Sequence, residues 1–212
     1  MSLELEDVQI ALKGRQLFAP LSLAIGRGQI ATIMGPSGCG KSTLLAAIAG
    51  NLSRGFLLSG RIVLNHRVLN GIRMEERRVG ILFQDDLLFP HFSVYGNLAF
   101  AVAGNLDKRA RRERILAALD QAGLADFARR DVGTLSGGQR SRVSLLRTML
   151  AEPEAVLLDE PFSKLDQPLR ASLRDFISQQ VGRLAIPALL VTHDPEDSCG
   201  GTIYRLDDSG ER

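Results

Sequence analysis

Residues 35–43 read Gly-Pro-Ser-Gly-Cys-Gly-Lys-Ser-Thr, and no other stretch of this chain limits its fold so strongly. The segment follows the nearly all-apolar run Ile30 to Met34 and opens onto Leu44, Leu45, Ala47 and Ile48. Strand, then G-x-x-x-x-G-K-[ST], then helix is the arrangement of a phosphate-binding loop. Its glycines let successive backbone N–H groups turn inward as a nest, and the helix N-terminus adds its partial positive charge. Gly35, Ser37, Gly38, Cys39, Gly40, Lys41, Ser42 and Thr43 are therefore assigned to holding a nucleoside triphosphate. Lys41 supplies a point charge for the β- and γ-phosphates, and the Ser42 hydroxyl is placed to ligate Mg²⁺. Cys39 lies within the nest but has no base beside it in sequence, so it reads as a small loop filler rather than a catalytic thiol.

Such a loop needs a buried parallel sheet, and the rest of the chain provides one. Ile30–Met34 is apolar on both faces, as are Val79–Phe83, Ala155–Leu158 and Ala188–Val191. Strands of that kind are covered from two sides. With helical patterns between them, the fold class is α/β with a largely parallel P-loop core. Upstream, Leu3, Leu5, Val8, Ile10, Leu12, Leu21, Leu23 and Ile25 alternate with polar residues, which predicts antiparallel strands. From residue 85 to residue 150 helical periodicity runs without a comparable strand, so a helical subdomain is expected there. The core and β subdomain then take residues 1–84 and 151–212. Asp107–Gln121 is one of the inserted helices; its Arg109, Arg111, Arg112 and Arg114 read as a solvated face. A further helix starts at Asp166 as N-cap, with Pro168 just inside.

At 212 residues the chain suits one globular unit. Lys+Arg 26 against Asp+Glu 24 gives +2, too near balance for an electrostatic footprint on nucleic acid, which is not expected as a partner. Cys39 and Cys199 make no disulfide framework, the N-terminus has no signal-peptide pattern, and the longest apolar runs are too short to span a bilayer. A cytoplasmic chain follows from these readings.

Ala155-Val-Leu-Leu-Asp-Glu-Pro161 supplies the second half of the site. Asp159, at the strand's C-terminal end, reaches the phosphate crevice and its Mg²⁺. Glu160 points the other way in the pleat and is free to polarise an attacking water.

Leu135-Ser-Gly-Gly-Gln139 distinguishes among P-loop families, because it matches the signature motif of ATP-binding-cassette (ABC) ATPases. Gln84 resembles the Q-loop glutamine, Ser163-Lys-Leu-Asp166 the D-loop, and His193 in Val-Thr-His-Asp194 the switch histidine. The chain is most similar to importer-type subunits. The resemblance implies ATP as substrate with Mg²⁺, held by Ser42, Gln84 and Asp159, and catalysis by Glu160, His193 and Gln84. It implies a head-to-tail homodimer or paired ATPase subunit. In it Ser136, Gly137, Gly138, Gln139 and Asp166 complete the partner's nucleotide site, in keeping with an anion-favouring helix N-terminus at Ser136. It further implies a place on the cytoplasmic side of a bacterial inner membrane, and a solute-binding protein. Transmembrane permease subunits would dock near the Gln84 loop, at Phe89, Pro90, His91 and Phe92. An exporter or lipoprotein-release ATPase and a non-transport ABC ATPase are the alternatives. Two departures stand out: Leu12 occupies the position where the family stacks an aromatic on adenine, leaving Phe18 as a substitute. The segment after His193 is also short and glycine-rich, and no regulatory domain is expected after it.

Overall fold

A computed structural model describes residues 1–102, 104 and 106–206. Two sheets share the chain. The first is antiparallel and built on β1 (Ser2–Leu12), which pairs with β2 (Arg15–Gln16) and β3 (Leu21–Gly26). The chain then enters the second sheet through β4 (Ile30–Met34), turns through the phosphate loop and forms α1 (Lys41–Ala49). It returns to the first sheet as β5 (Phe56–Leu64), antiparallel to β1, and β6 (Arg67–Val68). Asn65 and His66 join these two with positive φ at both positions, the geometry a two-residue type I′ hairpin requires.

The second sheet is all parallel. It is completed by β7 (Val79–Leu82), β8 (Ala155–Asp159), β9 (Ala188–Thr192) and β10 (Ile203–Arg205), in the order β10-β4-β9-β8-β7. The even hydrophobicity of its strands has a direct cause. Ala155 and Leu157 of β8, with Leu189 and Val191 of β9, face one core together with α1 and the antiparallel sheet. Val156 and Leu158, with Ala188 and Leu190, face a second core made by helices.

Those helices are α2 (Val94–Ala101), α3 (Lys108–Gln121), α4 (Gly137–Leu150) and α5 (Gln167–Leu184). Each begins on a side-chain cap: Ser93, Asp107, Ser136 and Asp166 accept from N–H groups of the first turn. Among the described residues, the helices between 85 and 150 share their core with the parallel sheet. Leu98, Leu119, Val132 and Leu146 belong to the same cluster as Leu158, Leu173 and Leu190. The arginine run on α3 is only partly solvated: Arg109 and Arg112 are exposed, with Arg109 paired to Glu113, whereas Arg111 and Arg114 are half-buried, Arg114 pairing with Glu152 and Arg111 Nε lying buried without a hydrogen-bond partner.

α1 ends on Gly50 and on a side chain from far along the chain. Nη1 of the buried Arg77 donates to Ala47 O at 2.8 Å and Ile48 O at 2.9 Å, and its Nε donates to Ile72 O at 2.8 Å. Arg77 lies two residues before β7, so this clamp ties the C-terminal end of the phosphate-loop helix to the strand that leads into Gln84.

Candidate nucleotide site

The loop between β4 and α1 holds its shape through glycines whose backbone conformation or close neighbours disfavour a side chain. Gly38 and Gly40 have φ of +84° and +102°. A Cβ on Gly35 would lie 2.7 Å from both Cys39 Sγ and Leu206 O. Gly40 is the N-cap of α1, which has no side-chain cap and no acidic residue in its first turn, so its N–H groups remain directed at the loop. Lys41 is only 6% exposed, and its Nζ donates to Gly35 O at 2.7 Å and Pro36 O at 2.9 Å across the loop. The Cys39 side chain is buried in the core behind the nest, as a filler.

A cavity of about 500 Å³ opens over this loop. Ser37, Gly38, Gly40, Lys41, Ser42 and Thr43 form its floor, and Gln84, Asp159 and Glu160 form one wall. Ser42 Oγ donates to Asp159 Oδ1 at 3.1 Å, which brings together two oxygens suited to a hard divalent cation. Burial, reinforced by the nearby Glu160 charge, pushes the Asp159 carboxyl above its usual range, while Ser42 and Lys41 act in the opposite sense. A cation there would offset both unfavourable terms, so the residues present fit Mg²⁺.

Glu160 departs from the pleat expected of it. The strand stops at Asp159, and Glu160 adopts φ +45° with its N–H donating to Val191 O at 3.0 Å. Both carboxylates consequently face the same cavity, where alternation would have sent them to opposite sides. His193 meets Glu160 there: its Nδ1 lies 3.2 Å from Glu160 Oε1, although 33 positions separate them. The histidine's loop is fixed by a network not evident from sequence. Arg170 on α5 pairs with Asp194 at 2.9 Å and with buried Asp197 at 3.6 Å, and Thr192 Oγ1 donates to Asp197 Oδ2 at 2.9 Å. Burial pushes the Asp197 carboxyl up, whereas the Glu196 backbone N–H, helped by Arg170, holds that of Asp194 down.

Gln84 lines the cavity, but its amide donates to Ser163 Oγ at 3.4 Å, and the neighbouring Asp85 pairs with Lys164. Two successive residues after β7 are thus tied to two successive residues of the Ser163–Asp166 turn. Ser136 to Gln139 lie elsewhere, outside the cavity that contains Lys41. Ser136 and Gln139 form a reciprocal capping box, with Ser136 N to Gln139 Oε1 at 3.0 Å and Gln139 N to Ser136 Oγ at 3.4 Å. Asp166 caps α5 by accepting from Leu169 N at 3.0 Å.

The expected role of Phe18 is corrected. Its side chain is fully buried in the core beneath Gly40, with no face open to the cavity. The aromatic that does line the cavity is Phe56, beside Leu12 and Leu17. Sequence reasoning missed Phe56, because its place beside Leu12 depends on the pairing of β5 with β1.

Comparison with known proteins gives the family. Residues 18–163 match the model of the ABC transporter family. The chain is 45% identical to the Escherichia coli protein named "uncharacterized ABC transporter ATP-binding protein YnjD", over 91% of this chain and 88% of that one. It is 38% identical to the xylose/arabinose import ATP-binding protein XacK of Haloferax volcanii, over 89% of this chain and 49% of the relative. With the Fe(3+) ions import ATP-binding protein FbpC of Streptomyces coelicolor it shares 39% identity, over 91% of this chain and 55% of the relative. The chain thus spans about half the length of those two named import proteins. Its phosphate loop, its paired carboxylates and these matches place the chain in the ABC transporter family, as an ATP-binding cassette.

Proposed function

We propose that this cassette hydrolyses MgATP as a head-to-tail pair and so energises solute import through permease subunits at the cytoplasmic face of a bacterial inner membrane. The observation that carries the reading is a division of the site. Lys41, Ser42, Asp159, Glu160 and Gln84 converge on one cavity, while the anion-favouring start of α4 at Ser136 sits apart from it. A second copy, arriving in the opposite sense, supplies Ser136–Gln139 and the Asp166 turn to the open side of the triphosphate.

Within that pair the loop N–H groups and Lys41 hold the β- and γ-phosphates. Ser42, Asp159 and Gln84 would hold Mg²⁺, which would supply electrostatic neutralisation of the phosphate oxygens. Glu160 accepts a proton from the attacking water as its oxygen bonds to the γ-phosphorus and the bridging bond to ADP breaks. His193 steadies Glu160 through Nδ1, leaving Nε2 for the γ-phosphate. Positioning and charge complementarity suffice, with no covalent intermediate.

The permease dock is the aromatic cluster after Gln84. Phe89 lies edge-on to Phe92 and Phe100 with centroids 5.7 and 5.0 Å away, and Phe100 is 71% exposed. Pro90 and His91 are also in solvent. A helical subdomain over 85–150, set against a core and β subdomain over 1–84 and 151–212, suits transmission from the Gln84 loop to that dock. Of that division, residues 103, 105 and 207–212 lie outside the described residues. Among the described residues no helix is long and apolar enough to cross a membrane. The peripheral location, the permease chains and a solute-binding protein belong to the same proposal.

Glu160→Gln tests the assignment. Steady-state ATP hydrolysis should fall about 10²–10⁴-fold, the usual contribution of a general base, while ATP-driven dimerisation persists in sedimentation. Undiminished turnover in that variant would remove Glu160 from the role.

A further inference from the structure

We propose that Phe56 on β5 is the base-stacking residue of this cassette, and that with Leu12 and Leu17 it forms a seat that grips a purine by its faces without reading its edge. The inference rests on the assignment of the triphosphate to the Lys41 loop.

The cavity has two chemically distinct ends. One is lined by the loop, Lys41 and the carboxylates; the other by Leu12, Leu17 and Phe56, all of them apolar. A nucleotide anchored by its phosphates at the first end must lay its base at the second. Register explains how Phe56 comes to be there. β1 and β5 are antiparallel neighbours, and Leu12 is the direct partner of Phe56. A ring absent from the end of β1 is therefore supplied by the adjacent strand at the same height. Leu17 closes the seat toward the loop, since a Cβ on Gly40 would lie 3.3 Å from Leu17 Cβ. Phe56 is half-buried, packed along one side on the core behind the antiparallel sheet and open to the cavity on the other. It is the single aromatic lining this cavity among the described residues. Every base offers a π-face, so stacking of this kind is strong but tolerant of base identity. Discrimination between purines needs a polar group aimed at the base edge. The polar side chains of the cavity belong to the loop, to α1 and to the carboxylate wall, away from this end.

Calorimetric titration of the intact chain with ATP, GTP and inorganic tripolyphosphate, the last having no base, tests the proposal. Phe56→Ala should weaken ATP at least about fivefold, the lower end of what base–aromatic stacking contributes, and leave tripolyphosphate within about twofold. Phe56→Trp should restore ATP affinity, and Phe56→Leu, which keeps the apolar packing without a ring, should fall between. The wild-type chain should bind ATP and GTP within about fivefold of each other. Unchanged ATP affinity in Phe56→Ala, equal loss of ATP and tripolyphosphate, or a large preference for one purine overturns it. A wild-type chain that binds neither ATP nor tripolyphosphate refutes the phosphate-site reading beneath it; one that binds tripolyphosphate as tightly as ATP refutes the base seat alone.

Discussion

Replacing Arg77 by methionine should destabilise the fold by about 3 kcal/mol, a large effect for a residue that touches no part of the nucleotide cavity. Its guanidinium donates to Ala47 O, Ile48 O and Ile72 O at 2.8, 2.9 and 2.8 Å. A cation at the C-terminal end of a helix in a partly buried setting contributes up to about 2 kcal/mol. Ala47 O also accepts from Gly50 N at 3.3 Å, so the loss of hydrogen bonds falls on Ile48 O and Ile72 O. Each buried carbonyl left without its donor costs about 1 kcal/mol or more. Against these, methionine avoids the desolvation that lowers the Arg77 pKa and buries apolar surface of its own, which returns about 1 kcal/mol. For a chain of this length the net corresponds to a melting temperature about 6–12 °C lower. Denaturant titration with constant slope measures it directly, and Arg77→Lys, which lacks the planar fork, should recover only part of the loss. A change below about 1 kcal/mol would show that α1 does not depend on this clamp.

Two further outcomes are expected. Because the folded state holds the Asp159 proton to a higher pH than the unfolded chain does, this group's contribution to metal-free stability falls as pH rises from the ordinary carboxylate range to the raised value. Asp159→Asn should therefore stabilise the metal-free protein at neutral pH while abolishing the extra stabilisation by MgATP over ATP, both read from thermal melts. Burial pushes the Cys199 thiol up to about 11, and Cys39 is 4% exposed. Alkylation at pH 8 should be slow at both until denaturant is added, at Cys39 because it is buried and at half-buried Cys199 because its thiolate is scarce; rapid labelling of the native chain would contradict this.

The phosphate loop and the acidic strand were legible from sequence because their chemistry is local: a nest, a helix dipole and a strand end are each specified within ten residues. Asp166 was equally plain as a cap, since a cap needs only its own first turn. What sequence could not convey depends on chain crossings. Phe18 was the substitute that sequence offered, but it lies under the loop, while Phe56 reaches the cavity lining because β5 is laid beside β1. Glu160 escapes the pleat rule because its positive φ follows from a bond to Val191 on another strand. The contact between His193 and Glu160, and the network from Arg170 that supports it, join β8, β9 and α5 only after the sheet has assembled.

The strand order has a bearing on how this protein is made. β4, which carries the phosphate loop, has β9 and β10 as its neighbours, and both come from residues after 187. β1, β3 and β5 pair among residues 2–64 and can associate while the ribosome is still synthesising the helices. The parallel sheet must wait, since its loop-closure entropy is met only when distant strands arrive. Until nearly the whole chain has emerged, β4 stays an unpaired apolar strand beside a loop with no sheet to support it. A nascent chain halted in α5 would already hold the Walker-type lysine and both carboxylates, yet should have no affinity for nucleotide.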